Sequence, residues 1–245
     1  MSKQTIIHDG CSSYYNSYWQ QVFYPLGLPR SKWFDYYCEH FKTYELNATF
    51  YRFPTLKSLQ SWYAKAPKDF VFGVKAPKII THIKKFVNCQ QEINDFYSIC
   101  NEGLRDKLGC ILFQLPPSFD YTPQRLELII SYMNSEFNNV IEFRNQSWWT
   151  EQVYSALSEK GITFCNVSYP LLPEVLIKTK NIGYIRLHGK PDLFYSDYTE
   201  EQLQQLWTEV ENSKFEQVFI YFNNTASKAG ILNALTFRNI KSKNR

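Results

Sequence analysis

Eight short apolar runs, each ending in polar or charged residues, recur along this chain at a nearly even interval. In order they end at Gly10-Cys11, Glu45-Leu46-Asn47, Val74-Lys75, Phe113-Gln114, Glu142-Phe143-Arg144, Asn166-Val167-Ser168, Arg186-Leu187-His188 and Phe222-Asn223-Asn224. Cys11 and Asn223 lie 212 residues apart, so the seven intervals average about 30 residues, the size of one strand–crossover–strand unit. Strands alternating with helical patterns specify an α/β fold with a parallel sheet. Eight of them specify closure into a TIM-type (β/α)8 barrel. Such barrels run to about 250 residues undivided, so residues 1–245 are expected to form a single domain.

The local signals agree with that frame. Thr55 and the pair Thr122-Pro123 open helices, Ser31 is expected to cap a first helix running to Phe41, and Gly161 ends the helix of about Thr150 to Lys160. Tyr169 to Asn181, broken by Pro170 and Pro173, is too short for a full crossover, so the sixth helix is expected to be short or absent. The last helix is expected over about Ala226 to Asn239, with 239–245 as a frayed basic tail.

Closure matters for function because it gathers the C-terminal ends of all eight strands on one face, where barrel enzymes place their active sites. Side chains two apart on a strand share a face. Glu45 therefore points with Asn47, Glu142 with Arg144, and Arg186 with His188, while Leu46, Phe143 and Leu187 face the helices. Ionised groups inside a packed barrel are costly unless paired, so polar doublets at this many strand ends mark a pocket or an internal salt-bridge lattice.

In the pocket reading, Lys75, Arg144 and Arg186 bind an anion, arginine being suited to a bidentate grip on carboxylate or phosphate. Glu45 and Glu142, with His188 or His82, move protons. Asn47, Gln114, Asn223 and Asn224 orient hydroxyl groups. Aromatic residues make up 18% of the chain, and several fall beside strand ends. Tyr51 and Trp148 are the rings placed against a sugar-like substrate.

Other classes are disfavoured. No phosphate-cradling glycine loop and no paired-histidine metal motif is present, so no cofactor is expected; one or two carboxylates could still hold a magnesium ion. A net charge of +4 without a long basic block points away from nucleic acid as the first choice. Six cysteines without a C-x-x-C pair read as free thiols in a reducing compartment, and with no apolar signal region or membrane span the expected location is cytoplasmic.

The run Glu45-Leu46-Asn47-Ala48-Thr49-Phe50-Tyr51-Arg52, then Val74-Lys75-Ala76-Pro77 with Thr81-His82, and Phe113-Gln114-Leu115-Pro116-Pro117 resemble the YecE-like family, a domain of unknown function. So do Glu142-Phe143-Arg144 with Ser147-Trp148, Arg186-Leu187-His188-Gly189, and Tyr221-Phe222-Asn223-Asn224 with Asn233-Ala234. The resemblance spans nearly the whole chain and implies a TIM-type barrel of cytoplasmic proteins. It supplies no reaction. The chain departs from the family pattern at Asn145, where histidine is usual, at Ser168, where aspartate is common, at Thr225-Ala226-Ser227-Lys228, and at Ser12-Ser13-Tyr14 in place of a glycine-tryptophan pair. Losing a histidine and acidic groups weighs against metal binding.

The expectation is an enzyme performing acid/base chemistry on a small anionic molecule, a phosphorylated or acidic sugar. The alternatives are a non-catalytic ligand-binding or interaction protein using the same pocket, and a nucleic-acid-processing enzyme.

Overall fold

The computed structural model describes residues 4–244. Eight parallel strands form one sheet: β1 (Ile6–Cys11), β2 (Thr43–Leu46), β3 (Val71–Lys75), β4 (Leu108–Gln114), β5 (Asn139–Glu142), β6 (Thr163–Ser168), β7 (Ile182–Leu187) and β8 (Gln217–Phe222). Their order, β1-β8-β7-β6-β5-β4-β3-β2, is that of a barrel hydrogen-bonded everywhere except between β1 and β2. The helices that cover it are α1 (Trp33–His40), the single turn α2 (Ala48–Tyr51), α3 (Leu56–Lys65), α4 (Gln90–Leu104), α5 (Pro123–Tyr132), α6 (Glu151–Glu159), α7 (Glu200–Asn212) and α8 (Ala229–Lys243).

Alternation along each strand sorts the core into two layers. Leu46, Val74, Phe113, Phe143, Leu187 and Phe222 face outward into the apolar layer beneath the helices. Leu112, Val140, Cys165, Tyr184, Phe219 and Tyr221 fill the barrel interior. All six cysteines are buried and unpaired, as free thiols packed in apolar surroundings.

The open seam is bridged by a side chain. The buried Tyr37 hydroxyl accepts a hydrogen bond from the Cys11 N–H (2.8 Å) and donates one to the Thr43 carbonyl (3.0 Å), joining β1 to β2 without a ladder. Gly10 makes this approach possible, because a Cβ there would stand 2.5 Å from the Thr43 carbonyl oxygen.

Several local expectations hold. Thr55 caps α3 in a reciprocal capping box with Ser58, Thr122 caps α5 with Pro123 next in line, and Gly161 follows α6 with a φ of +63°. No helix forms between β6 and β7. There the Asn166 amide takes both backbone groups of Ile177, accepting from its N–H at 2.6 Å and donating to its carbonyl at 3.1 Å.

Two expectations are corrected. Ser31 does not cap the first helix: it lies inside a 3-10 turn, Arg30–Lys32, set up by the extended Pro29, and α1 starts at Trp33 without a side-chain cap. Residues 239–243 are no frayed tail, and Arg245 lies outside the described residues. The helix α8 continues to Lys243 because Ile240 extends its buried stripe of Ala234 and Phe237, and the Lys241 ammonium pairs with Asp9 of β1.

If Tyr37 is what closes the seam, Tyr37→Phe leaves a buried N–H and a buried carbonyl without partners. A loss of about 1–3 kcal/mol in urea-induced unfolding is the expected result.

Candidate active site

Five strands deliver an inward polar residue to the same end of the barrel. Lys75 ends β3, Gln114 ends β4, Glu142 ends β5, and Glu45 and Arg186 each lie one residue before the end of β2 and β7. At the centre is Arg186, only 1% exposed, which donates from Nη1 to Glu142 Oε2 (2.5 Å) and from Nη2 to Glu45 Oε2 (2.8 Å). Glu45 also accepts from the Tyr184 hydroxyl (2.8 Å) and the Asn47 amide (3.1 Å). The Arg144 Nε bonds the other oxygen of Glu142.

The network continues outward with a consistent hydrogen-bond direction. Arg144 Nη2 donates to His188 Nε2 (3.1 Å), His188 Nδ1 donates to Asn223 Oδ1 (2.9 Å), and the Asn223 amide donates to the Ser12 hydroxyl (2.5 Å). Burial and the adjacent Arg144 push the His188 pKa down to about 3, so its ring is neutral and this tautomer is fixed by its partners. Burial acts to raise the Glu142 pKa, but Arg144 and Arg186 outweigh it and hold the carboxylate well below its ordinary range. The same ion pairs keep Arg186 charged despite complete burial.

The predicted residues thus divide by depth. Glu45, Glu142, Arg186 and His188 are brought together but sealed beneath the mouth. Lys75, His82 and Asn47 lie above them, partly open to solvent, and the Arg144 side chain, 8% exposed, lies between the two levels. The Arg144 guanidinium rests 4.2 Å over the Tyr169 ring, a residue for which the sequence carried no signal. The Gln114 amide is committed to the Leu115 carbonyl (2.7 Å), and Tyr51 is exposed. Two predicted residues serve packing. Asn224 is buried and donates to Ser196 and Asn233, while Trp148 is buried in a stack between Phe143 and Phe119, outside the barrel wall. Trp148 follows the outward-facing Phe143 rather than Glu142, which explains its side of the wall.

Lys75 stands apart from the network. Both glutamates are taken by arginines, and among the described residues no carboxylate lies within ion-pair distance of Lys75 Nζ, which lies over the face of the Phe50 ring at 4.1 Å. Burial, followed by the charge of Arg186, lowers its pKa to about 7. His82 sits in a π-helical turn, Ile79–Ile83, bonded to the Thr81 hydroxyl (2.9 Å) and edge-on to Phe50. Burial and the nearby Lys75 and Arg144 charges lower its pKa to about 4. The loop that follows places Lys85, Phe86 and Asn88 at positive φ, with Phe86 buried to anchor it. Strained non-glycine backbone and π-turns both concentrate where a side chain must be aimed.

Among the described residues no group of three or more His, Cys, Asp or Glu side chains is placed to hold a metal ion. No helix of the described residues is long and apolar enough to cross a membrane. A separate groove of about 230 Å³ opens where the crossover helix between β6 and β7 is missing, lined by Ser168, Glu174, Leu187, Tyr198 and α7.

The architecture and the strand-end cluster define a (β/α)8 barrel with a buried ion network under a cationic mouth. The model of the family described as "Protein of unknown function DUF72" matches residues 8–244, and the chain belongs to that family. It is 26% identical to the UPF0759 protein YunF of Bacillus subtilis over 83% of this chain and 84% of that protein. It is 27% identical to the UPF0759 protein YecE of Escherichia coli O157:H7 over 67% and 62% of the two chains. The crystal structure of a DUF72 family protein from Thermotoga maritima superposes with a TM-score of 0.87 and 28% identity, covering 97% of this chain and 99% of that one.

Removing one member of a buried ion cluster costs about 3–5 kcal/mol, because its partners keep their charge. Arg186→Met should lose stability on that scale in denaturant titration. Arg186→Met with Glu45→Gln should recover much of it, since Glu142 keeps Arg144 and glutamine keeps the Tyr184 bond.

Lys75 should behave in the opposite way. Its folded pKa of about 7 lies below the ordinary lysine value, so between these values the unfolded chain binds the extra proton and stability rises with pH. Lys75→Met is expected to be more stable than the parent by on the order of 2 kcal/mol at pH 7, with the gap closing toward pH 10. Paired urea titrations across that range would show it.

Proposed function

We propose that this protein is an enzyme that binds a small anionic substrate, of the phosphorylated or acidic sugar type, at the C-terminal mouth of the barrel. The observation that carries this reading is an unbalanced charge. Glu45 and Glu142 are neutralised by Arg186 and Arg144, which leaves Lys75 as an additional cationic group on the rim with no carboxylate to meet it. An anion arriving there completes the pairing, and Arg144, at the edge of the buried network, supplies the planar donor beside it.

Arg186 then acts from below. Both of its terminal nitrogens are committed to carboxylates, so it positions Glu45 and Glu142 and stiffens the floor rather than touching substrate. The glutamates in turn orient Arg144 and Asn47. Proton transfer falls to Lys75 and His82, which are half-buried and have pKa values of about 7 and about 4. Both therefore hold a substantial neutral fraction near pH 7, as a base requires. His188, neutral and sealed, orients Arg144 and Asn223. Asn47 lies on the rim to meet substrate hydroxyl groups.

A thermal-shift screen with sugar phosphates, sugar acids and oligonucleotides tests the reading. A ligand at a hundred times its Kd adds about 2.7 kcal/mol, a rise of roughly 5–10 °C in Tm for a chain this size. A small anion should give such a rise, and Lys75→Met should reduce it by weakening binding about 10-fold or more. A shift given only by oligonucleotides, and lost steeply with salt, would overturn it in favour of nucleic acid.

A further inference from the structure

We propose that Lys75 is a nucleophilic amine, and that the substrate class at this mouth is an anionic aldehyde or ketone whose carbonyl carbon condenses with Lys75 Nζ. The proposal rests on the anionic-substrate reading above and adds the reacting group.

The geometry around Nζ carries it. A lysine whose role is structural ends on a carboxylate or a carbonyl; Lys107 in this chain does so, donating to the carbonyls of Tyr63 (2.7 Å) and Ala66 (2.6 Å). Lys75 has no such bond and lies against the Phe50 ring at 4.1 Å. The two carboxylates that could have taken it are held by Arg186 and Arg144 in the interior. Its amine is therefore buried against an aromatic face, with Arg186 and Arg144 opposing its charge and Glu142 and Glu45 offsetting them only in part, a setting in which lysine sheds its proton and becomes a nucleophile. The lowered pKa, about 7, follows from that setting. Lys75 is also the last residue of β3, where barrel enzymes present reacting groups.

The step balances without an added oxidant or reductant. The Nζ lone pair attacks the carbonyl carbon, the carbonyl π pair moves to oxygen, and the amine proton passes to that oxygen to give a carbinolamine. A second proton, taken from bulk water, then protonates the hydroxyl, and the nitrogen lone pair expels it as water to leave a protonated imine; addition of water reverses the sequence and returns that proton. Arg144 holds the anionic group of the same molecule, and the neutral His82 on the Phe50 edge accepts and returns the travelling proton.

The test uses pyridoxal 5′-phosphate, an anionic aldehyde, with sodium borohydride to reduce any imine to a stable secondary amine. Peptide mapping by mass spectrometry then locates the adduct. At pH 7.5 and low reagent excess, Lys75 should be modified on the order of 100-fold faster than exposed lysines, following its larger free-amine fraction. Inorganic phosphate should slow it, and Lys75→Arg should carry no adduct above the surface background while keeping the phosphate-induced thermal shift. Adducts scattered over surface lysines with Lys75 unmodified would overturn the proposal. A phosphate-induced shift in that case would leave the anionic-substrate reading standing. If Lys75 is labelled selectively but as fast by neutral glycolaldehyde, and without protection by phosphate, the amine assignment holds and the anionic part of the substrate class falls.

Discussion

A guanidinium removed from water needs its charge met by carboxylates in good geometry, and Arg186 is met by two, one from β2 and one from β5. These strands lie apart in the sheet, as does β7, which carries the arginine. The bridge therefore ties three walls of the barrel together across its interior. With Arg186 facing solvent, Glu45 would be buried with no cation, and with either glutamate turned out Arg186 would keep only one of its two carboxylates. This makes the top of the barrel interior intolerant of slippage: a shift of one residue in β5 would turn Glu142 outward and Phe143 into the ion cluster.

The same bridge decides what the mouth can do. Because the carboxylates are consumed below, the rim is left cationic, and because Arg144 is clamped by Glu142, His188 and the Tyr169 ring, its orientation is fixed before any ligand arrives. Fixed donors around a site pay no reorganisation cost on binding charge. Lys75 lies between the Phe50 face and that rigid floor.

The fold was legible because two periods coincide in the sequence: an alternation of two within each strand and a repeat of about 30 between strands. These periods assign Leu46, Phe143 and Leu187 to one layer and Glu45, Glu142 and Arg186 to the other, as the structure shows. What they cannot carry is depth. Arg186 and Arg144 occupy the same face and read alike in the sequence, but Arg186 lies inside the strand and Arg144 follows its end, so the first is sealed and the second reaches the rim. Trp148 sits near a strand end in sequence yet lies outside the wall, because the 3-10 turn Gln146–Trp148 folds back over Phe143. The Tyr37 bridge across the open seam joins residues on α1, β1 and β2, and no local pattern announces a contact of that kind.

The missing crossover helix shows how a departure from the regular repeat is absorbed. A parallel strand pair needs a connection, and the thirteen residues 169–181 supply one without helical hydrogen bonds. The backbone groups this leaves open are taken up by side chains of the neighbouring strand and of the segment itself. Asn166 holds both groups of Ile177, and Thr179 accepts from the Phe164 N–H (2.8 Å) while donating to the Ile162 carbonyl (2.7 Å). Polar residues on and beside β6 therefore take the backbone groups that a crossover helix would have satisfied, which is why Asn166 is structural here while the Lys75 amine, at another strand end, has no backbone group to bind. Position in the repeat brings a polar residue to the barrel end; whether the backbone nearby still lacks a partner determines what is left for it to bind.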